Sequence, residues 1–306
     1  MYSLGDLQKA LGSPRLILHE LNRLWYTRFR SREYNPKGVD VFAQDWDNLL
    51  ILDACRYDMF AEQHDLPGEL QSMTSRGAST PEFLRANFDG ADLSDTVYVT
   101  SNPHIYRNKK DFDLNIHAVH NIWQEEGWDD EYGTVLPEST MEHGLKAAET
   151  YPNKRLVVHF MQPHYPFITE SNEFYDESQA IADVDAPHFW EELMQGNIRI
   201  PPVKVWKAYR ENLDHVLKSV AEMLETLEGK TVVTSDHGNM IGERARPIPV
   251  KEWGHPPGIY TDELVNVPWL TYQRGERREI VPEESESEQG EVSEELVKDR
   301  LEKLGY

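Results

Sequence analysis

Two short apolar runs, far apart in the chain, each end on an acid. Asn48-Leu49-Leu50-Ile51-Leu52-Asp53 is nearly continuous in apolar residues. That pattern predicts a strand buried on both faces of a parallel sheet. Thr231-Val232-Val233-Thr234-Ser235-Asp236-His237-Gly238 begins with β-branched residues and closes on a carboxylate, an imidazole and a glycine. In open α/β sheets, ligands collect beyond the carboxyl ends of the strands. An acid beside a histidine at that edge can place one oxygen and one nitrogen on the same metal ion. The glycine lets the backbone turn away without crowding that ion.

The remaining pattern alternates strands and helices. Residues 1–35 read as helical, with Ser13-Pro14 as cap and first-turn signal. A connecting loop covers 38–47, and a helix follows over 56–63. Residues 72–80, rich in small and polar side chains, read as a loop before a helix at 81–88 with Pro81 in its first turn. Thr96–Thr100 is a strand stopped by Ser101-Asn102-Pro103, and helices are expected around 116–126 and 137–150. Arg155–Met161 is a further buried strand, followed by the loop Gln162-Pro163-His164-Tyr165-Pro166-Phe167. The acidic stretch 170–202 reads as a lid or insertion, 203–227 as a long helix, and 265–272 as a final strand. Such alternation argues for a mostly parallel sheet with helices on both faces. Three units are expected: an N-terminal helical segment (1–40), a catalytic domain (41–278), and an acidic linker with a terminal helix (279–306). There is no internal repeat and no Gly-rich phosphate loop of either common type.

Composition narrows the partners. A formal charge of −23 and a pI near 4.9 oppose nucleic acid and anionic membrane surfaces. The acids are spread along the whole chain, as in halophilic proteins, so a tail alone does not explain them. With Cys55 the only cysteine, an intrachain disulfide and a cysteine-built zinc site are ruled out. No signal peptide or membrane-length apolar run is present, and the cytoplasm is the expected compartment. Arg15–Tyr26 forms an amphipathic, locally basic helical pattern. A helix of this kind can lie on a membrane or a partner; packing on its own domain is the expectation, without peripheral membrane contact.

Five segments can converge on one edge of the sheet: Asp53, the hydroxyls of 72–80, His164, Asp236-His237, and the later loop Trp253-Gly254-His255-Pro256-Pro257. Cations accept mixed oxygen and nitrogen ligands of this kind. A metal-bound hydroxyl loses its proton readily and becomes a nucleophile near neutral pH. A hydroxyl at a helix N-terminus gains from the positive end of the dipole, and the same place suits an anionic phosphoryl or sulfuryl group. Arg56 could pair with a substrate anion as readily as with a surface acid, and Asn102 stands at a strand end with similar alternatives. His159, inside a strand, reads as a core residue.

The order of these motifs resembles the alkaline phosphatase superfamily over roughly residues 45 to 275, in particular its sulfatase, lipoteichoic acid synthase and phosphoethanolamine transferase branch. The resemblance implies a doubly wound α/β fold and a metal-assisted phosphoryl or sulfuryl transfer. It places Asp53, Asp236 and His237 on a divalent cation (Mn, Zn, Mg or Ca, as one ion or two), with His255 serving a second metal or the substrate. Ser79 matches the nucleophile best, because Pro81 lies two residues on, and Thr80 is its rival, since related transferases use threonine. His164, in Pro163-His164-Tyr165-Pro166, matches a histidine that contacts the substrate or protonates a leaving group. The chain also departs from the pattern. Phe83 stands where formylglycine-forming sulfatases need arginine, and Ala54 replaces the second acid of their metal pair. Both departures favour phosphate over sulfate esters. The expected protein is a hydrolase or phosphotransferase with a small-molecule or glycan ester as substrate. The alternative is an inactive relative that serves as a binding or scaffold protein.

Overall fold

In the computed structural model, the structure describes residues 14–29, 31–124, 127–168, 189–283 and 292–306. Helix α1 (Pro14–Tyr26) precedes the sheet domain. The chain then runs β1 (Asn48–Leu52), α2 (Tyr57–Gln63), β2 (Glu69–Thr74), α3 (Thr80–Asn87), β3 (Asp92–Thr100), α4 (His104–Arg107) and β4 (Asn115–Asn121). A small hairpin, β5 (Trp128–Asp129) and β6 (Thr134–Val135), leads to α5 (Pro137–Thr150) and β7 (Arg155–Phe160). After α6 (Phe189–Gln195) and α7 (Pro202–Thr226) come β8 (Gly229–Thr234), the hairpin β9 (Met240–Arg244) and β10 (Lys251–Gly254), α8 (Asp262–Val265), β11 (Asn266–Arg274) and α9 (Glu294–Lys303).

Seven strands form one sheet in the order β2-β11-β8-β1-β7-β3-β4. The pairs β8/β1, β1/β7, β7/β3 and β3/β4 are parallel, whereas β11 runs antiparallel to both β8 and β2. The sheet is therefore mixed but mostly parallel, as alternation implied, with an antiparallel margin that alternation could not show.

The central strands are apolar without a break because both faces are covered. Successive residues feed opposite cores. Leu50, Leu52, Val158, Phe160 and Val233 meet Tyr209, Leu213, Val216 and Val220 of α7 and Met141 of α5 on one face. Leu49, Ile51, Val157 and Val232 meet Phe83 and Leu84 of α3, together with Trp46 and Phe88, on the other. This period of two is what a strand buried on both sides imposes.

Two expectations are corrected. Residues 72–74 belong to strand β2 rather than to a loop, and that strand pairs only with β11. Its sequence, Glu69-Leu70-Gln71-Ser72-Met73-Thr74, is largely exposed, as an edge strand allows, so it lacks an apolar signature. The region 116–126 is not helical where described: Asn115–Asn121 is the other edge strand, parallel to β3. The helical expectations at 56–63, 81–88, 137–150 and 203–227 match α2, α3, α5 and α7. Of the helix expected over 1–35, Pro14–Tyr26 is present as α1 and the described residues from 27 to 35 are turn and loop; residues 1–13 lie outside the described part, as does 170–188 of the proposed lid. Among the described residues, no helix is long and apolar enough to cross a membrane.

Gly238 is required by packing. Its N–H donates to the Leu264 carbonyl at 2.7 Å, and an added Cβ would collide with the backbone carbonyl of Glu263. The close approach of α8 leaves no room for a side chain there. Gly238→Ala is expected to lower the stability of the protein by roughly 1–3 kcal/mol, read as a fall in the urea midpoint with an unchanged slope.

Candidate active site

Four of the five parallel strands place a polar side chain of the site just past their carboxyl ends. Asp53 follows β1, Asn102 follows β3, His164 follows β7, and Asp236 with His237 follow β8. Neighbouring parallel strands in register end at the same edge, so residues far apart in sequence become neighbours. Within this group, one oxygen of Asp53, one of Asp236 and a nitrogen of His159 lie within 4.8 Å of one another, all buried. His159 Nε2 stands 3.7 Å from Asp53 Oδ2 and 3.7 Å from Asp236 Oδ2. His237 Nε2 stands 3.6 Å from Asp53 Oδ1 and 3.4 Å from Asp236 Oδ2.

The two histidines are oriented from behind. His237 Nδ1 lies 2.8 Å from the Gly238 carbonyl, an acceptor only, so Nδ1 donates there and Nε2 is left facing the acids. His159 Nδ1 is 2.7 Å from the Tyr98 hydroxyl, and its Nε2 has no hydrogen-bond partner among the described residues. Burial lowers the His159 pKa to about 4, so the ring is neutral.

Electrostatics set the two carboxylates apart. Burial, and then the charge of Asp236, hold Asp53 well above the ordinary carboxylate range. Burial also opposes ionisation of Asp236, but His237, His159, the Thr80 hydroxyl and the Ala54 N–H together hold it below that range. Among the described residues, no lysine or arginine pairs with either acid; the nearest basic side chains are the two histidines. Two adjacent buried carboxylates, a neutral imidazole with an unpartnered nitrogen and a second imidazole facing the same acids make a donor set that fits a metal ion.

Helix α3 brings in the hydroxyl. Thr80 is its first residue, and Thr80 Oγ1 donates to Asp236 Oδ2 at 2.8 Å, lies 3.2 Å from His237 Nε2 and is 3.5 Å from Asp53 Oδ2. Ser79, the better match by sequence, is the N-cap residue, and its Oγ is buried without a hydrogen-bond partner among the described residues. The hydroxyl that joins the cluster is therefore that of Thr80. Asn102 Nδ2 donates to Asp53 Oδ2 at 2.7 Å, which places this residue at the cluster too.

Two expected groups stand to one side. His164 and His255 pair with each other, Nε2 to Nε2 at 2.7 Å, and the His255 ring lies 4.7 Å from that of His237. His164 Nδ1 bonds the Tyr165 carbonyl, and burial lowers the His164 pKa to about 3. Arg56 does not enter the cluster. Its guanidinium is held by Asp58 at 2.5 and 2.9 Å, by Glu243 at 2.5 Å and by the Asn239 carbonyl at 3.2 Å. Of the two alternatives weighed for Arg56, the structure shows the ion pairs, with Asp58 and Glu243.

Three participants escaped the sequence reading. His159 looked like a core residue, yet a histidine inside a strand buried on both faces must find a polar partner, and that requirement was the available signal. His104 is buried with both ring nitrogens unpartnered among the described residues. Tyr306, beyond α9, enters from the far end of the sequence. Its hydroxyl lies 3.2 Å from Asp53 Oδ2, 3.2 Å from Thr80 Oγ1 and 3.3 Å from Asn102 Nδ2. The Tyr306 ring stacks on His164 with 4.8 Å between centroids and meets the edge of His104 at 4.3 Å. Burial and the charges of Asp53 and Asp236 push its pKa well up, so the phenol stays protonated.

Ala54, directly after Asp53, has φ of +60°, a left-handed conformation that costs a non-glycine residue roughly 1–2 kcal/mol. The turn is held by its neighbours. Ala54 N–H donates to Asp236 Oδ1 at 3.1 Å, Cys55 N–H to Ser235 Oγ at 2.8 Å, and the Tyr209 hydroxyl to the Ala54 carbonyl. Strain of this kind gathers where a side chain must be aimed.

No family model matches the chain, and no curated protein matches it. Solved structures resemble it in part. The integral membrane lipooligosaccharide phosphoethanolamine transferase A (EptA) of Neisseria meningitidis is 13% identical with a TM-score of 0.47, over 75% of this chain and 48% of that one. This chain thus spans about half the length of that protein. The C-terminal periplasmic domain of the phosphoethanolamine transferase EptC of Campylobacter jejuni is 13% identical with a TM-score of 0.46, over 74% of this chain and 78% of that one. A putative sulfatase of Bacteroides thetaiotaomicron is 14% identical with a TM-score of 0.43, over 76% and 65%. These structures come from two of the three groups that the motif order resembles.

The start of α3 carries a titrating group. Glu82 Oε2 accepts the Ala78 N–H at 3.0 Å, and burial pushes the Glu82 pKa up from 4.5 to about 7 against the pull of that bond. The folded state thus holds a proton that the unfolded chain releases from pH 4.5 upward. This contribution is full below pH 4.5 and is lost as pH rises through 7. Urea midpoints measured across that range should fall by up to roughly 3 kcal/mol in stability, and Glu82→Gln should flatten that part of the slope.

Proposed function

We propose that the chain is a metal-dependent hydrolase or transferase of phosphate esters, with Thr80 as nucleophile. The reading rests on one observation: the Thr80 hydroxyl, at the start of a helix, donates to Asp236 inside a cluster of buried acids and imidazoles. Asp53, Asp236, His237 and His159 would hold a divalent cation. When bound, that ion neutralises the two acids and lowers the pKa of a hydroxyl beside it.

The chain's own groups do the rest. Thr80 Oγ1 attacks phosphorus while the bond from phosphorus to the ester oxygen breaks on the opposite side. The hydroxyl proton leaves along its 2.8 Å bond to Asp236. The departing alkoxide takes its proton from water, because burial holds the His164–His255 pair neutral and its shared hydrogen lies between the two Nε2 atoms. Water or an acceptor alcohol then attacks the phosphothreonine and frees Thr80. Asn102 holds Asp53 in orientation through its 2.7 Å bond. Phosphate is favoured over sulfate because Phe83 stands where the formylglycine signature needs arginine.

Tyr306 lies where substrate oxygens must come. Its hydroxyl contacts Thr80, Asp53 and Asn102 at once, so an ester reaches Thr80 only by displacing it. This favours a second reading, in which the site is permanently filled and the protein binds rather than turns over.

Turnover of aryl phosphate monoesters, diesters and sulfates with added Mn, Zn, Mg or Ca separates the two readings. Thr80→Ala should lower phosphoester turnover by roughly three orders of magnitude or more and abolish a trapped phosphothreonine. Asp236→Asn should lose both activity and bound metal. If neither the wild type nor Tyr306→Ala turns over any ester, the binding reading stands. For an active enzyme, Tyr306→Phe should lower KM for a small phosphoester by about fivefold to tenfold, the worth of one or two hydrogen bonds no longer in competition.

A further inference from the structure

Helix α1 is mounted with its polar side inward. His19 Nδ1 lies 2.7 Å from Oε2 of the buried Glu252, and Asn22, itself 0% exposed, exchanges two hydrogen bonds of 2.8 and 2.9 Å with the backbone of Ile248. Tyr26 meets the edge of the Tyr260 ring at 5.9 Å, on the same side. At 3.6 residues per turn, positions 19, 22 and 26 share one side of the helix, and 17, 18, 21 and 25 share the other. That outer side is apolar and open: Ile17 is 44% exposed, Leu18 37%, Leu21 46% and Trp25 55%. An ordinary surface helix does the reverse. A contiguous apolar face held outward by specific polar contacts marks an interaction surface.

The helix end extends this face. Arg28 and Phe29 have φ of +49° and +56°, conformations that non-glycine residues adopt at a cost. There Phe29 is 83% exposed, and the Arg28 guanidinium stands 5.3 Å from the Trp25 ring. Charge selects the occupant. Residues 14–32 contain five arginines and one glutamate, in a chain with net charge −23. A second copy would set its own arginines against these. An anionic lipid surface instead offers negative headgroups above an apolar layer, which is the complement of exposed arginine beside exposed Trp, Phe and Leu.

We propose that this face docks on an anionic bilayer, with Trp25 and Phe29 entering the headgroup boundary and Arg28 and Arg32 meeting the acidic headgroups. The acidic remainder is repelled by the same surface, which orients the docked chain with this face toward the lipid. Because α1 rests on Ile248 and Glu252, near the loop that carries His255, docking would hold that side of the domain next to the lipid.

The test is co-sedimentation of the full chain with vesicles of phosphatidylglycerol and phosphatidylcholine, against phosphatidylcholine alone, at moderate salt. The expected result is binding to the mixed vesicles. Both Trp25→Ser/Phe29→Ser and Arg28→Glu/Arg32→Glu should weaken that binding by about tenfold or more, with thermal midpoints close to the wild type showing that the fold is intact. Three results would overturn the proposal: a wild type that leaves both vesicle types in the supernatant, variants that bind as the wild type does, or a concentration-dependent dimer lost in Trp25→Ser/Phe29→Ser without vesicle binding. The readout is binding, so it succeeds or fails independently of whether Thr80 is a nucleophile.

Discussion

Asp53 and Asp236 are two acids taken out of water and set side by side without an arginine or lysine, among the described residues, to balance them. Burying even one uncompensated charge costs several kcal/mol after relaxation. A protein has few ways to carry two. It can leave one acid protonated, or it can supply a cation. The raised pKa of Asp53 beside the lowered one of Asp236 describes the first state. Imidazole nitrogens turned toward the acids prepare the second. The strand order, the strained Ala54 turn and the packing of α7 behind it all hold this costly pair in place.

The distribution of charge follows the same logic at a larger scale. Around the acids, His159 and His164 are held neutral by burial, and His104 and His255 lie well below the ordinary histidine range for the same reason. The interior therefore supplies lone pairs and hydrogen-bond donors rather than fixed positive charge. Arg56 is the nearest candidate for a fixed cation in the sequence order, and Asp58 and Glu243 already neutralise it. Charge balance at the cluster is thus left to something that arrives. The Tyr306 phenol, kept protonated by the same acids, satisfies hydrogen bonds there but brings no charge. It can fill the space without relieving the electrostatic cost.

Much of this was legible in the sequence, and the parts that were not share a physical cause. The central strands β1, β7 and β8 announce themselves because burial on both faces demands unbroken apolar runs, and an acid at the end of such a run has little reason to be there except function. The edge strands β2 and β4 carry no such demand, so Ser72–Thr74 reads as part of a loop and residues 116–121 as part of a helix. The choice between Ser79 and Thr80 turned on a helix boundary one residue wide, and boundaries are the least constrained feature of local sequence. Tyr306 lies 253 positions from Asp53 along the chain, and no periodicity or motif links them. Its place is decided by where α9 packs, which is a tertiary matter.

Why Thr80 rather than Ser79 reaches the acids can be argued from the helix itself. Ser79 is extended, with φ −155° and ψ 158°, and makes no side-chain cap bond, while Glu82 accepts the Ala78 N–H just before it. Glu82 thus ties the approach to the helix, and the first residue inside the helix meets the acids at the sheet edge. Pro81 follows at a position where a missing N–H costs nothing and a fixed φ favours the helix, so the boundary cannot slide by a residue without placing proline badly. A threonine there also has fewer χ1 choices than a serine because of its branched Cβ. The hydroxyl is therefore aimed by a proline, a glutamate and its own methyl group before any ligand is present, and it meets Asp236 at the distance of an ordinary hydrogen bond, 2.8 Å.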